Sequence, residues 1–452
     1  MKKFRRFLSV ILALGLVLAA LSSCMGGNDV PEQTTDASGG DGTTTGAVGQ
    51  ETTTGPAATL PVPTYATLEE ALGREAVASH IGGSGAMLIR YEKCKEAEFY
   101  AACEFYESWG YTLYCTDGMK LTKSATYVKD NAYCALFLDI ERRHLYTTVS
   151  EKGGRALPEY DENYEKLYDV TLTAPKTEQQ GLCDIFRLED GSFMLLDSAN
   201  KGAHHTIFET LCQLNGGSAE GLHIRAWVLT HTHGDHYGGF LNFAETYADR
   251  VQLDTVLYAP VNRAVIDTID GYKPILGNTW DTIDYFFNDG LSDLLKEYFP
   301  DTDLRTVHAG QMFHFAGLDL HILYSPEHVY IDGIPVNMNV GSIACMVRDK
   351  NGAALLMGDN EGEGTQWVMK IYGDELVSNI HQIPHHGMSK KQDVNLAKFA
   401  KASIILIPCT QAYFNKNCSK YTREIMGLPE TKATYVMGDG TVTLLLSGQL
   451  SQ

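Results

Sequence analysis

The chain has 452 residues, of which 44% are hydrophobic and 10% aromatic, so it can bury a full core and is neither a disordered nor a fibrous sequence. Its 36 basic and 56 acidic residues give a net charge of −20, a surface that repels polyanions at long range. That argues against a dedicated nucleic-acid-binding protein, although a local cationic or metal-bearing cleft can still hold one phosphate.

At the N-terminus Lys2, Lys3, Arg5 and Arg6 precede a 15-residue apolar run from Phe7 to Leu21. The run is too short to span a bilayer comfortably and has the charge asymmetry of a secretory signal. It ends at "LSSC", Leu21 to Cys24, which resembles the lipobox of bacterial lipoproteins. The resemblance implies that residues 1–23 are a signal peptide and that Cys24 is acylated as the mature N-terminus, placing the protein on the extracytoplasmic face of the cell membrane. Loss of residues 1–23 removes four cations and no acids, taking the net charge from −20 to −24. Residues 24–64 are mostly Thr, Gly, Ala, Asp and Pro, with little to bury, and read as a flexible tether. Beyond Cys24 nine cysteines remain without a repeated CxxC clip; Cys94, Cys103, Cys115 and Cys134 share one segment and could supply a disulfide, buried free thiols being the commoner state.

Residues 65–155 read as a small α+β module. Ala97 to Trp109 places Phe99, Cys103, Tyr106 and Gly110 on one helical face, and "WGYTLYC", "KLTKSATYV", "YCALFLDI" and "RHLYTTV" read as strands separated by turn residues. Its tyrosines are expected as half-buried sheet residues, with a ligand groove as the weaker reading. From 170 to 452 short apolar strands end in polar clusters: "FMLL" at Asp197, "AWVLT" at His231, "ALLM" at Gly358-Asp359 and "NIHQIP" at His385-His386. Helical stretches intervene, such as Thr206 to Leu214. Strand ends that deliver acids and imidazoles to one edge are how α/β layered folds assemble a site.

In "LTHTHGDHYGG", Leu229 to Gly239, His231 and His233 leave an extended backbone on the same side, and the Gly234 turn swings Asp235 and His236 toward a second point, so one hexapeptide can serve two metals. Neutral imidazoles with a carboxylate suit Zn²⁺ best, with Mn²⁺ or Fe²⁺ as alternatives. Gly238 and Gly239 are expected to let a following helix start close to the metals. The motif resembles that of the metallo-β-lactamase superfamily, hydrolases built as an αββα sandwich with up to two metals at the edge between the sheets. Within it, "IPHHGMS" resembles the HHGS motif of the ComEC-type branch, "LLMGDNEGE" places Asp359 as the bridging carboxylate, and "FMLLDSAN" places Asp197 in a supporting role.

The resemblance implies that His231 and His233 hold one metal with help from Asn339, which stands in "NMNVGSIACMV" where the superfamily usually has a histidine and where the ComEC-type branch tends to have asparagine. The second metal takes Asp235, His236 and one of His385 and His386; His385 is favoured because it follows the strand directly. Asp235 and His386 are then the catalytic candidates, His386 orienting substrate or handing a proton to the leaving group. Lys390 and Lys391 follow and are read as solvated, with contact to a substrate phosphate the sharper alternative. Of the other nearby histidines, His308, His314 and His321 are expected to cap, pack or face solvent, and only His328 is kept as a substitute ligand.

Two cations flanking one water lower its pKa enough to supply hydroxide at neutral pH, and they neutralise charge on a phosphoryl or acyl oxygen. The expected activity is phosphodiester hydrolysis, with nucleic acid, a wall polymer or a small molecule as substrate. The alternatives are a lactam or lactone hydrolase, and a surface binding lipoprotein with a weak or inactive metal site.

Overall fold

Turn chemistry and apolar runs of the N-terminal segment build a helix-backed antiparallel sheet in the computed structural model, which describes residues 65–81, 87–130, 132–150, 163–259, 290–331, 338–440 and 442–451. The signal segment, Cys24 and the tether lie outside the described residues. Helices α1 (Tyr65–Leu72) and α2 (Glu96–Ser108) accompany strands β1 (Ala78–Ile81), β2 (Met87–Tyr91), β3 (Thr112–Gly118), β4 (Thr122–Lys129), β5 (Ala132–Asp139) and β6 (His144–Ser150). They form a six-stranded sheet in the order β1-β2-β6-β5-β4-β3.

Both faces of this sheet are covered. Cys134, Leu136 and Leu138 of β5 pack with Phe99 and Tyr106 of α2, whereas Phe137 and Tyr146 join a core with Leu323, Met346 and Trp367. Among the strand tyrosines, 91, 127, 133 and 146 are fully buried, deeper than expected, whereas Tyr114 is half-buried as expected. Tyr133 OH lies 2.9 Å from Thr306 Oγ1 and 3.4 Å from His308 Nε2, and Cys115 Sγ donates to the Met312 carbonyl at 3.1 Å. The nine described cysteines are all free thiols.

The remainder carries β7 (Thr171–Ala174), β8 (Asp184–Arg187), β9 (Phe193–Leu196), α3 (His204–Leu214), β10 (His223–Leu229), α4 (Gly234–Tyr247), β11 (Gln252–Tyr258), α5 (Gly290–Tyr298) and β12 (Asp303–Thr306). There follow β13 (Met312–Phe315), β14 (Leu318–Tyr324), β15 (Ala344–Arg348), β16 (Ala353–Leu356), α6 (Glu363–Tyr372), β17 (Ile380–Gln382), α7 (Val394–Ala400), β18 (Ile404–Ile407), α8 (Gln411–Asn417), α9 (Lys420–Met426), β19 (Ala433–Val436) and β20 (Val442–Leu445). Two seven-stranded sheets result, ordered β12-β11-β10-β9-β8-β7-β20 and β13-β14-β15-β16-β17-β18-β19.

Side-chain alternation makes each strand two-faced. Phe186, Met194, Leu196 and Val228 face the second sheet and meet Leu320, Cys345, Val347 and Leu356 in one inner core. Ile185, Phe193, Leu195 and Trp227 point the other way, under Phe240 and Phe243 of α4 and Leu211 of α3. On the far side, Ile405 and Ile407 pack with Phe414 and Ile425, and Leu355 with Val368 and Ile371. The architecture is an αββα sandwich. Strands β9 to β12 run parallel to one another, as do β16 to β19, so the ends of β9, β10, β16 and β17 come to a common edge. Among the described residues no helix is long and apolar enough to cross a membrane.

Candidate metal centre

Strand β10 stops at Leu229, the chain bends at Thr232, and His233 is the extended N-cap of α4 at φ −88°, ψ 143°. His231 and His233 thus leave one stretch with His231 Nε2 3.1 Å from His233 Nδ1. Asp235 and His236 stand in the first turn of α4 and face His386, whose Nε2 is 3.3 Å from Asp235 Oδ2 and 3.2 Å from His236 Nε2. Asp359, just past the end of β16, lies between the two groups. Its Oδ2 is 3.8 Å from His231 Nε2, while its Oδ1 is 3.1 Å from His236 Nε2 and 3.4 Å from His386 Nε2. The donor atoms of His231, His233 and Asp359 all lie within 4.8 Å of one another, and so do those of Asp235, His236 and His386.

Three of the four imidazoles are aimed from behind. His236 Nδ1 is 2.7 Å from Asp197 Oδ2, and the Asp197 carboxylate also accepts from Thr230 N at 2.8 Å and Thr230 Oγ1 at 2.7 Å. His386 Nδ1 donates to the Pro408 carbonyl at 2.9 Å, and His231 Nδ1 lies 3.1 Å from Thr230 Oγ1. Such outward bonds fix the tautomer and leave Nε2 as a lone-pair donor toward the cluster.

Residues 182–328 match the family model described as Metallo-beta-lactamase superfamily. They include β10 and the whole His231–His236 stretch that this geometry converges on. The superfamily match thus covers residues 182–328 of the chain. Superfamily members are metal-dependent hydrolases. No protein of curated function matches the chain. Solved structures that resemble it include the metallo-beta-lactamase fold protein YhfI from Bacillus subtilis, at 11% identity and TM-score 0.38 over 61% of this chain and 99% of that one. Zn²⁺-bound PqqB from Methylobacterium extorquens aligns at 12% identity and TM-score 0.35, covering 61% and 99%. The short form of human tRNase Z aligns at 14% identity and TM-score 0.32, covering 61% and 98%.

The donor set fits divalent metal. Asp359 is 1% exposed, and its Oδ1 accepts no hydrogen bond although two ring nitrogens approach it, which is what a carboxylate oxygen directed at a cation looks like. Burial would raise the Asp359 carboxyl, but the charges of His236 and His386 outweigh it and hold it well below the usual range. Burial, with His236 and His233 next, keeps His231 well below an ordinary imidazole and therefore neutral, the form that ligates. His236 is the reverse case: burial lowers it, and the carboxylates of Asp359 and Asp197 prevail and raise it, so this pocket draws positive charge.

Two expectations are corrected. The structure places His386, and not the favoured His385, with Asp235 and His236. After β17 the chain turns through left-handed conformations at His385 (φ 50°), His386 (φ 52°) and Gly387 (φ 76°), which breaks strand alternation and turns the second imidazole inward. His385 stays at the rim, its Nδ1 3.1 Å from Glu361 Oε2 and its Nε2 4.0 Å from Asp359 Oδ2. The glycine pair acts differently as well: α4 begins at Gly234, and a Cβ on Gly239 would sit 2.0 Å from the Ser198 carbonyl oxygen. The close approach is to the Ser198–Lys201 turn.

Asn339 Nδ2 lies 3.2 Å from His385 Nδ1, and the Asn339 Oδ1 is buried without a hydrogen bond. His328 does not enter the centre; it packs among Tyr146, Trp367 and Phe137, with ring centroids 4.8, 5.1 and 5.9 Å away. His308 meets Glu327, and His314 lies 2.7 Å from Asp319 Oδ1. Lys390 and Lys391 are exposed at the rim. Sequence reasoning missed Glu361, which accepts from Ser389 and faces His385, and the Pro408 carbonyl behind His386. Glu361 lies two residues past Asp359 in a run of acids, where nothing singles it out.

Proposed function

We propose that the protein is a membrane-anchored, extracytoplasmic phosphodiesterase of the ComEC-type branch, anchored through Cys24. The observation that carries the reading is His385, an imidazole at the rim of the centre that is not spent as a ligand. His231, His233 and Asp359 would hold one divalent cation, and Asp235, His236 and His386 a second, with Asp359 shared and Zn²⁺ or Mn²⁺ suited to the donors. When bound, the cations supply an activated water and neutralise charge developing on a phosphoryl oxygen. His385 takes the role expected of His386: held by Glu361 and Asn339, it orients the diester or hands a proton to the leaving alcohol. Asp197 and Thr230 keep His236 in register. Lys390 and Lys391 offset the negative surface that an anionic substrate meets.

Metal-loaded protein is expected to hydrolyse bis(p-nitrophenyl) phosphate. His386→Ala should lose metal together with turnover, whereas His385→Ala should keep its metal and lose turnover by about 10²-fold or more. Opening of a cephalosporin with no turnover of any phosphodiester overturns the reading. For the anchor, acyl label is expected on the wild type and not on Cys24→Ser; label on neither removes the membrane assignment.

A further inference from the structure

Beside the centre a cleft of about 510 Å³ opens between the Glu178–Gln180 turn and Asn200–Lys201, with Asp235 in its wall. Because Asp235 Oδ2 is also 3.3 Å from His386 Nε2, the cleft begins where the second cluster ends. The turn is held firmly. Gln179 stands at φ 52°, a left-handed conformation that a residue with a Cβ adopts only when its surroundings impose it. Here they do: the Gln179 carbonyl accepts from Thr410 N at 2.6 Å, Gln180 bridges to Cys409, and Asn200 Nδ2 donates to the carbonyls of both Glu178 and Gln180. Asn200 is thereby a positioning residue, and the strained turn presents the exposed Gln179 side chain on the cleft wall.

Three features of the lining indicate a ligand class. The exposed Gln179 amide and Glu178 carboxylate on the cleft wall offer a donor and acceptors to a hydroxyl. Lys201 is exposed on the cleft and forms no ion pair among the described residues, leaving its ammonium for an anionic group. None of the described lining residues is aromatic, whereas unpaired nucleobases are held by stacking on aromatic rings.

We infer that this cleft seats the alcohol portion of the diester as a hydroxyl-bearing polyol unit, with the next phosphate of the chain on Lys201, so that the substrate is a polyol-phosphate polymer in preference to nucleic acid. The inference rests on the phosphodiesterase reading above. Gln179 hydrogen-bonds the hydroxyls, and Glu178, close to Gly202, offers a further acceptor.

The test compares kcat/KM of the metal-loaded full chain on a glycerol-phosphate oligomer, an oligothymidylate and bis(p-nitrophenyl) phosphate. The glycerol-phosphate oligomer is expected to be preferred over oligothymidylate. Lys201→Ala, and Gln179→Gly, which keeps the left-handed backbone accessible, should each lower the ratio of glycerol-diester to aryl-diester turnover about tenfold, with Lys201→Arg retaining it. A preference for oligothymidylate, or a ratio unchanged in both variants while the aryl diester is still cleaved, overturns the subsite alone. No turnover of any diester overturns the phosphodiesterase reading and the subsite with it.

Discussion

Asp184, the first residue of β8, is fully buried on the inner side of its sheet, and neither carboxylate oxygen has a hydrogen-bond partner. Burial, with the Asp197 charge second, raises its pKa from 3.8 to about 8. The folded protein therefore binds this proton more tightly than the unfolded chain does. Its contribution to stability is complete below pH 3.8 and is lost as the pH rises through about 8. From pH 5 to 8 the melting temperature of metal-free wild type is accordingly expected to fall relative to that of Asp184→Asn, which cannot ionise. Equal slopes for the two proteins would show that this carboxyl titrates as it does in the open chain.

At the level of elements, the glycines of α4 separate two kinds of constraint. A Cβ at Gly239 would meet the Ser198 backbone at 2.0 Å, whereas a Cβ at Gly234 would meet nothing within 4 Å. Gly239→Ala must displace the turn that follows Asp197, and a cost of about 1–3 kcal/mol is expected from thermal melts, with reduced metal content, while Gly234→Ala should melt near wild type. The strands that carry the ligands were legible because each is a short apolar run closed by a polar cluster, as in "FMLL" before Asp197. The start of α4 was not legible. His233 caps it without a side-chain hydrogen bond, and glycine follows, so no Ser, Thr, Asp or Asn signal marks the boundary. The exchange of His385 and His386 was hidden for a related reason: positive φ at two histidines is imposed by the packing around Gly387, and residue type does not announce it. In the N-terminal sheet, "YCALFLDI" read correctly as a strand, but its lack of alternation carried further information, since a strand apolar on both sides is covered on both sides.

Across the whole molecule, the six candidate ligands come from two separate sheets. His231, His233, Asp235 and His236 follow β10, while Asp359 and His386 follow β16 and β17 in the opposing layer. A cation shared by these groups would therefore act as a cross-link between the two halves of the sandwich, additional to the apolar core beneath it. Binding energy at the centre then becomes folding energy, worth about 4 kcal/mol when free metal stands at a thousand times its dissociation constant. Chelation should lower the melting temperature of the wild type and have much less effect on Asp359→Ala; an unchanged wild-type melting temperature would mean that the layers hold together without the ion. On this view resistance to unfolding and to proteolysis rises and falls with metal supply, and the residues that prepare the reaction also set how long the protein survives.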